Sequence, residues 1–169
     1  MKLKIIIVPN SILRKKSKPI KNINQIISNL AKAMIQLIKE GPGGKPIGIG
    51  LSAVQIGKLI RLFVAFNPET KKYQAFVNPE IIKKSKELTD GLEGENKGEG
   101  CLSIPGFTGV VKRHQEINLK YQNLAGQEKE EKFSGLMATI IQHEYDHLEG
   151  ILFTDRVLEQ GSKIYELQK

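Results

Sequence analysis

His143 and His147 stand four residues apart, with Glu144 directly after the first, in the stretch QHEYDHLEG at 142–150. Residues four apart on a helix are neighbours, so both imidazoles can reach one cation. A carboxylate one position on is turned by about 100°, onto the adjacent edge of that face, where it can touch a water without binding the cation. Leu136, Ile140, His143 and His147 fall at helical spacing, so the histidines continue an apolar stripe and face inward. Buried imidazoles are costly unless their nitrogens are satisfied. Hydrogen bonds to backbone would meet that need; a cation with its own base is the reading that uses all three residues.

Two imidazoles are too few ligands. In one extended form of the motif a further histidine follows, but here Gly150 is in place while the last position is Phe153, and no histidine follows His147. The missing ligand is therefore sought upstream. EGCLS at 99–103 holds the only cysteine, in a glycine-containing turn. A lone cysteine is more often a small buried hydrophobe. Its conjunction with His-Glu-x-x-His gives a Cys101, His143, His147 set that leaves a fourth position open for water, as hydrolysis requires.

The elements that must position these residues are readable from periodicity. Ser134 is a candidate N-cap for a helix over about 135–148, with Gly150 beyond its end. A second helix is expected over 23–39, with Ile23, Ile26, Ile27, Leu30, Met34, Leu37 and Ile38 on one face. IIIV at 5–8 reads as a short buried strand stopped by Pro9, and EIIKKSKEL at 80–88 as another strand. Hairpins are expected for 59–66 with 73–77 and for 116–122 with 127–133. EGPGGKP at 40–46 is a loop. The expected fold class is α+β, antiparallel strands packed around a central metal-binding helix, within one catalytic domain spanning 1–169.

Composition narrows the classes. Hydrophobic residues make up 40% and charged residues 26%, as in ordinary globular proteins. No apolar run approaches the roughly 18 residues of a membrane span, and the first ten residues lack the apolar core of a signal peptide. The single cysteine excludes an internal disulfide and fits a reducing, cytoplasmic compartment. The net charge of +8 is uneven: nine lysines and arginines precede the first acidic residue, Glu40, and the rest is close to neutral. Without interleaved aromatics, RKKSKPIK at 14–21 reads as a solvated face rather than a sequence-specific nucleic-acid site.

In order along the chain, GIGLSAVQ (48–55), EGCLS (99–103) and QHEYDHLEG (142–150) resemble the three motifs of the peptide deformylase family, and the likeness runs from about Ile5 to Phe153. The departures are Ser52, where the family usually has a second alanine, and Val54, often a proline there; neither is expected to donate a side chain to the chemistry. The 40–46 loop is also longer than usual. The resemblance implies hydrolysis of the N-formyl group from formyl-methionine on newly synthesised polypeptides. It implies Cys101, His143 and His147 as ligands of one divalent metal, with ferrous iron the physiological one. A thiolate with two imidazoles also suits zinc, nickel or cobalt. Glu144 would be the base, and Gln55 and the Leu102 backbone N–H the donors to the oxyanion. Gly50 is a candidate backbone contact for substrate, and Ile49, Leu136 and Ile140 are candidates for the apolar methionine pocket. Arg113 and Asp146 are a candidate pair steadying the cysteine loop and helix. His114 is expected on the surface without a partner. Partners implied are N-formyl-methionyl nascent peptides and the ribosome, without a membrane. The rivals are a His-Glu-x-x-His metallopeptidase, which would not need Cys101, and a non-catalytic module with a closed metal site, which would not need Glu144 or Gln55.

Overall fold

The structure is a computed structural model that describes residues 3–41, 44–90 and 98–167. Its elements run α1 (Gln25–Lys39), β1 (Gly50–Ser52), β2 (Leu62–Asn67), β3 (Lys72–Lys84), β4 (Leu88–Thr89), β5 (Glu99–Cys101), β6 (Ile104–Gly109), β7 (Arg113–His114), β8 (Glu116–Gln122), β9 (Glu128–Ser134), α2 (Gly135–Leu148), α3 (Phe153–Glu159) and β10 (Ile164–Glu166). A five-stranded antiparallel sheet has the order β1-β2-β3-β8-β9; β10-β6-β5 and β4-β7 form smaller sheets.

Strand β2 shows how the layers arise. Successive side chains point to opposite faces, so Leu62 and Val64 pack with Leu30, Met34 and Ile38 of α1, while Phe63 and Ala65 pack with Met137, Ala138 and Ile141 of α2. The central sheet thus lies between the two long helices, and all four of those β2 residues are fully buried. A third cluster, Leu13, Ile104, Val111, Leu152, Phe153 and Val157, joins the Ser11–Arg14 turn to β6 and α3. This is the expected α+β fold.

Local chemistry sets the boundaries. Asn24 caps α1, its side chain accepting from the N–H groups of Ile26 and Ile27 at 3.0 and 3.2 Å. Asn67 closes the β2–β3 turn by accepting from Glu69 and Thr70, and Asn123 does the same for Ala125 and Gln127 between β8 and β9. Ser134 precedes α2 but makes no side-chain cap bond; it ends β9 instead.

Three expectations are corrected. IIIV forms no strand: Ile6 and Val8 donate to the carbonyls of Gln55 and Ser103, and Ile7 and Val8 are exposed. Of the strand expected over 80–88, residues 80–84 are the far end of β3, which runs past Val77 through an irregularity in its pairing with β8, and Leu88 opens β4. Ile26, assigned to the buried face of α1, is 70% exposed. Within the 40–46 loop, residues 42–43 lie outside the described residues.

Candidate metal centre and active-site cleft

Helix α2 carries His143, Glu144 and His147, and ten of its fourteen residues are buried. Strand β5 brings Glu99 and Cys101 against it, and the Ala53–Ile56 turn after β1 brings Gln55. The candidate ligand atoms of Cys101, His143 and His147 all lie within 4.8 Å of one another, and Cys101 Sγ is 3.3 Å from His147 Nε2. Phe153, at the position where the longer motif has a histidine, stacks on the His143 ring, centroids 6.3 Å apart.

These residues fit a metal on their own chemistry. His143 Nδ1 donates to Glu99 Oε2 at 2.8 Å, which fixes the ring and leaves Nε2 for the cluster. Burial and the neighbouring His143 hold His147 well below its ordinary pKa, so its imidazole keeps a lone pair available. Burial works against charge on His143 too, but hydrogen bonding to Cys101 and Glu99 outweighs it and raises its pKa. One sulfur and two imidazole nitrogens make three of the four positions of a tetrahedral site.

Behind the ligands runs a buried chain of charges. Burial alone would raise the Glu99 carboxyl, yet hydrogen bonds from Arg113 and His143 bring it down to about 2. Arg113 grips Glu99 with Nε and Nη2 at 2.7 and 2.9 Å and reaches Asp146 Oδ2 with Nη1 at 2.6 Å. Asp146 is held from its other side by Arg156 at 2.8 and 3.1 Å. The expected Arg113–Asp146 pair is present and buried, not a surface bridge. Glu99, the hinge of this network, was not singled out from the sequence, although it opens the EGCLS stretch.

Gln55 is locked in one orientation. Its Oε1 accepts from the Ser52 N–H at 2.8 Å, so its Nε2 points toward Ser103 Oγ at 3.1 Å and Cys101 Sγ at 3.5 Å. Glu144 is buried; burial raises its pKa from the ordinary value, partly offset by His143 and by a hydrogen bond from Ser52. That hydroxyl lies 2.7 Å from Glu144 Oε2, so Ser52, not expected to donate a side chain to the chemistry, contacts the candidate base. His114 is also corrected: half-buried, its Nδ1 lies 2.7 Å from the Ser85 carbonyl oxygen.

A cleft of about 340 Å³ opens over this arrangement. Ile49, Gly50, Gln55, Cys101, Leu102, Ile140, His143 and Glu144 line it, so the structure brings most of the candidate residues to one surface. Ile47, Phe107 and Leu167 extend its apolar wall. Leu136 lies outside the lining, 37% exposed, one turn before Ile140. Gly50 has no room for a side chain, since a Cβ there would fall 2.4 Å from Glu144 Oε1.

Sulfur and two imidazoles within reach of one cation, with an enclosed carboxylate beside them in an apolar cleft, are the makings of a metal-dependent hydrolase in an α+β fold. The family model of polypeptide deformylase matches residues 2–163. A peptide deformylase of Dictyoglomus turgidum is 39% identical over 155 residues, spanning 92% of either chain. Peptide deformylase 1 of Clostridium perfringens is 41% identical over 149 residues, spanning 88% of this chain and 93% of that one. The crystal structure of peptide deformylase from Thermotoga maritima superposes with a TM-score of 0.81 at 32% identity, over 92% of this chain and 97% of that one. The chain belongs to the polypeptide deformylase family, metal-dependent hydrolases that remove the N-formyl group from N-terminal formyl-methionine.

Proposed function

We propose that the cleft deformylates N-formyl-methionyl nascent peptides with one cation held by Cys101 Sγ, His143 and His147, the whole chain acting as one catalytic unit. The observation that carries the reading is the gathering of those three donors within 4.8 Å beside the enclosed Glu144 carboxylate. A divalent cation bound there would supply the Lewis acidity that makes water nucleophilic near neutral pH. Ferrous iron is the reading for the physiological metal; a thiolate with two imidazoles equally admits zinc, nickel or cobalt.

Glu144 takes a proton from the attacking water. The remaining hydroxide oxygen bonds to the formyl carbon. The oxygen that gains charge accepts hydrogen bonds from Gln55 Nε2 and the Leu102 N–H. Gln55 suits that task because the Ser52 N–H already occupies its Oε1, leaving its amide nitrogen aimed into the site. The C–N bond then breaks, Glu144 returns the proton to the amine, and formate leaves. Ile49 and Ile140, with Leu136 further out, take the methionine side chain, and the Gly50 backbone lies alongside the peptide. Arg113 and Asp146 steady the ligands through Glu99.

The test is formate release from a formyl-methionyl peptide by protein purified without oxygen and analysed for metal. Glu144→Ala should keep about one metal per chain and lose turnover, whereas Cys101→Ala should lose both. An active Glu144→Ala protein removes the base assignment, and an active Cys101→Ala protein removes the ligand set.

A further inference from the structure

We propose that Ser52 is a positioning residue for Glu144: its hydroxyl anchors Oε2 and so leaves Oε1 as the oxygen that exchanges a proton with water. The inference rests on Glu144 being the base, and goes beyond it by assigning the two carboxylate oxygens different tasks.

The geometry around the carboxylate is asymmetric. Oε2 lies 2.7 Å from Ser52 Oγ, and Ser52 is fully buried, so that hydroxyl touches neither solvent nor peptide. Oε1 occupies the space that a side chain on Gly50 would fill, 2.4 Å from the position of an added Cβ. Gly50 and Glu144 both line the cleft, whereas Ser52 does not. One oxygen is thus held by the buried Ser52, while the other lies against Gly50, which lines the cleft.

A carboxylate turns about its last torsion in a broad, two-fold well, so nothing internal to glutamate keeps one oxygen forward. In an enclosed site a single charge-assisted hydrogen bond is enough to do it. The Ser52 hydroxyl has a second acceptor within reach, the Glu144 carbonyl at 2.9 Å, but only one proton to give. That carbonyl sits inside α2, where the helix ladder already supplies a donor. The shorter contact to Oε2 is the one the hydroxyl serves. Oε2 goes on accepting it while Oε1 takes and returns the proton, so the anchor holds through the whole cycle. Backbone and side chain of Ser52 thus orient two functional groups at once, Gln55 through its N–H and Glu144 through its hydroxyl.

The experiment compares wild type, Ser52→Ala, Ser52→Thr and Glu144→Gln, each loaded anaerobically with the same metal. Metal content, thermal midpoint, KM and kcat are measured on a formyl-methionyl peptide, and the crystal structure of metal-loaded Ser52→Ala is solved. Because the family usually carries alanine at this position, losing the one hydrogen bond in Ser52→Ala should lower kcat modestly, by roughly 3- to 10-fold. Metal content should stay at about one per chain and KM within about two-fold, since Ser52 does not line the cleft. Ser52→Thr, which keeps the hydroxyl, should recover most of kcat. In the Ser52→Ala crystal the Glu144 carboxylate should take more than one orientation. Wild-type kcat in Ser52→Ala, a loss that only tracks missing metal, or one undisturbed carboxylate orientation would each overturn the proposal. Turnover by Glu144→Gln would instead overturn the base assignment, which keeps the two failures apart.

Discussion

At the scale of single residues, the site depends as much on missing atoms as on present ones. Gly50 is required because Glu144 Oε1 fills the volume its side chain would take, 2.4 Å from an added Cβ. Gly50→Ala must therefore displace the carboxylate or the strand. We expect the variant to fold and bind metal but to lose roughly 100-fold or more in kcat, as misplacement of a reacting group by about 1 Å does. Stopped assays with metal analysis would check this; near-normal turnover would mean the carboxylate is free to move. Cys101, His143, Glu144 and His147 were legible in the sequence because residue type and four-residue spacing carry their chemistry directly. Ser52 and Glu99 were not. Ser52 finds its partner 92 residues away and Glu99 reaches His143 at a separation of 44, and no local pattern encodes such pairings.

At the scale of elements, Arg113 on β7 ties β5 to α2. The guanidinium joins Glu99 of one strand to Asp146 of the helix, with side chains of all three residues less than a tenth exposed. A buried ion pair adds little net stability over an apolar replacement, but removing one partner leaves charge stranded. Arg113→Leu should cost on the order of 3–5 kcal/mol in chemical denaturation. It should also weaken metal affinity by roughly 10- to 100-fold, because Glu99 then holds His143 less firmly. Unchanged stability would mean that Arg156 and His143 suffice as partners. The hairpins were readable because Asn67 and Asn123 mark their turns and β8 alternates apolar with polar residues, although β2 is an apolar run and β9 is almost wholly polar. IIIV misled because an apolar run has no period, and only its neighbours decide between a strand and packed irregular chain.

The segment before α1 is tied to the other end of the fold by charge, and this gives a pH dependence. Arg14 pairs with Asp155 on α3, while Lys16 and Arg61 pair with Glu149 just after α2. Burial would raise the Asp155 carboxyl, but bonds from Arg14 and the Leu152 N–H outweigh it and hold its pKa below the ordinary 3.8. A depressed folded pKa means that the contribution is fully present above the unfolded value and disappears as pH falls through the folded one. Asp155→Asn should therefore be less stable than wild type at neutral pH, by a small margin because both groups are partly exposed. The gap should close as pH drops below about 4. Thermal midpoints over that range would reveal it; a constant gap would assign the effect to packing rather than to the charge of Asp155.

At the scale of the whole molecule, the charge is unevenly placed. Nine basic residues precede the first acidic one while the net charge of the full chain is only +8. Of these, Arg14 and Lys16 are engaged within the protein, but Lys15, Lys18 and Lys21 are exposed, and among the described residues none of them has an ion-pair partner. They stand outside the cleft lining, so a polyanion could engage them while a peptide occupies the site. If this face meets ribosomal RNA, each lysine that reaches a phosphate should steepen the dependence of log affinity on log salt by about 0.7–0.9. Lys15→Gln, Lys18→Gln and Lys21→Gln together should then flatten that slope by about 2 and weaken cosedimentation with ribosomes at low salt. Turnover of a short formyl peptide should not change, since none of these lysines lines the cleft. An unaltered slope would assign the basic segment to solubility, and the enzyme would then meet its nascent chains by diffusion alone.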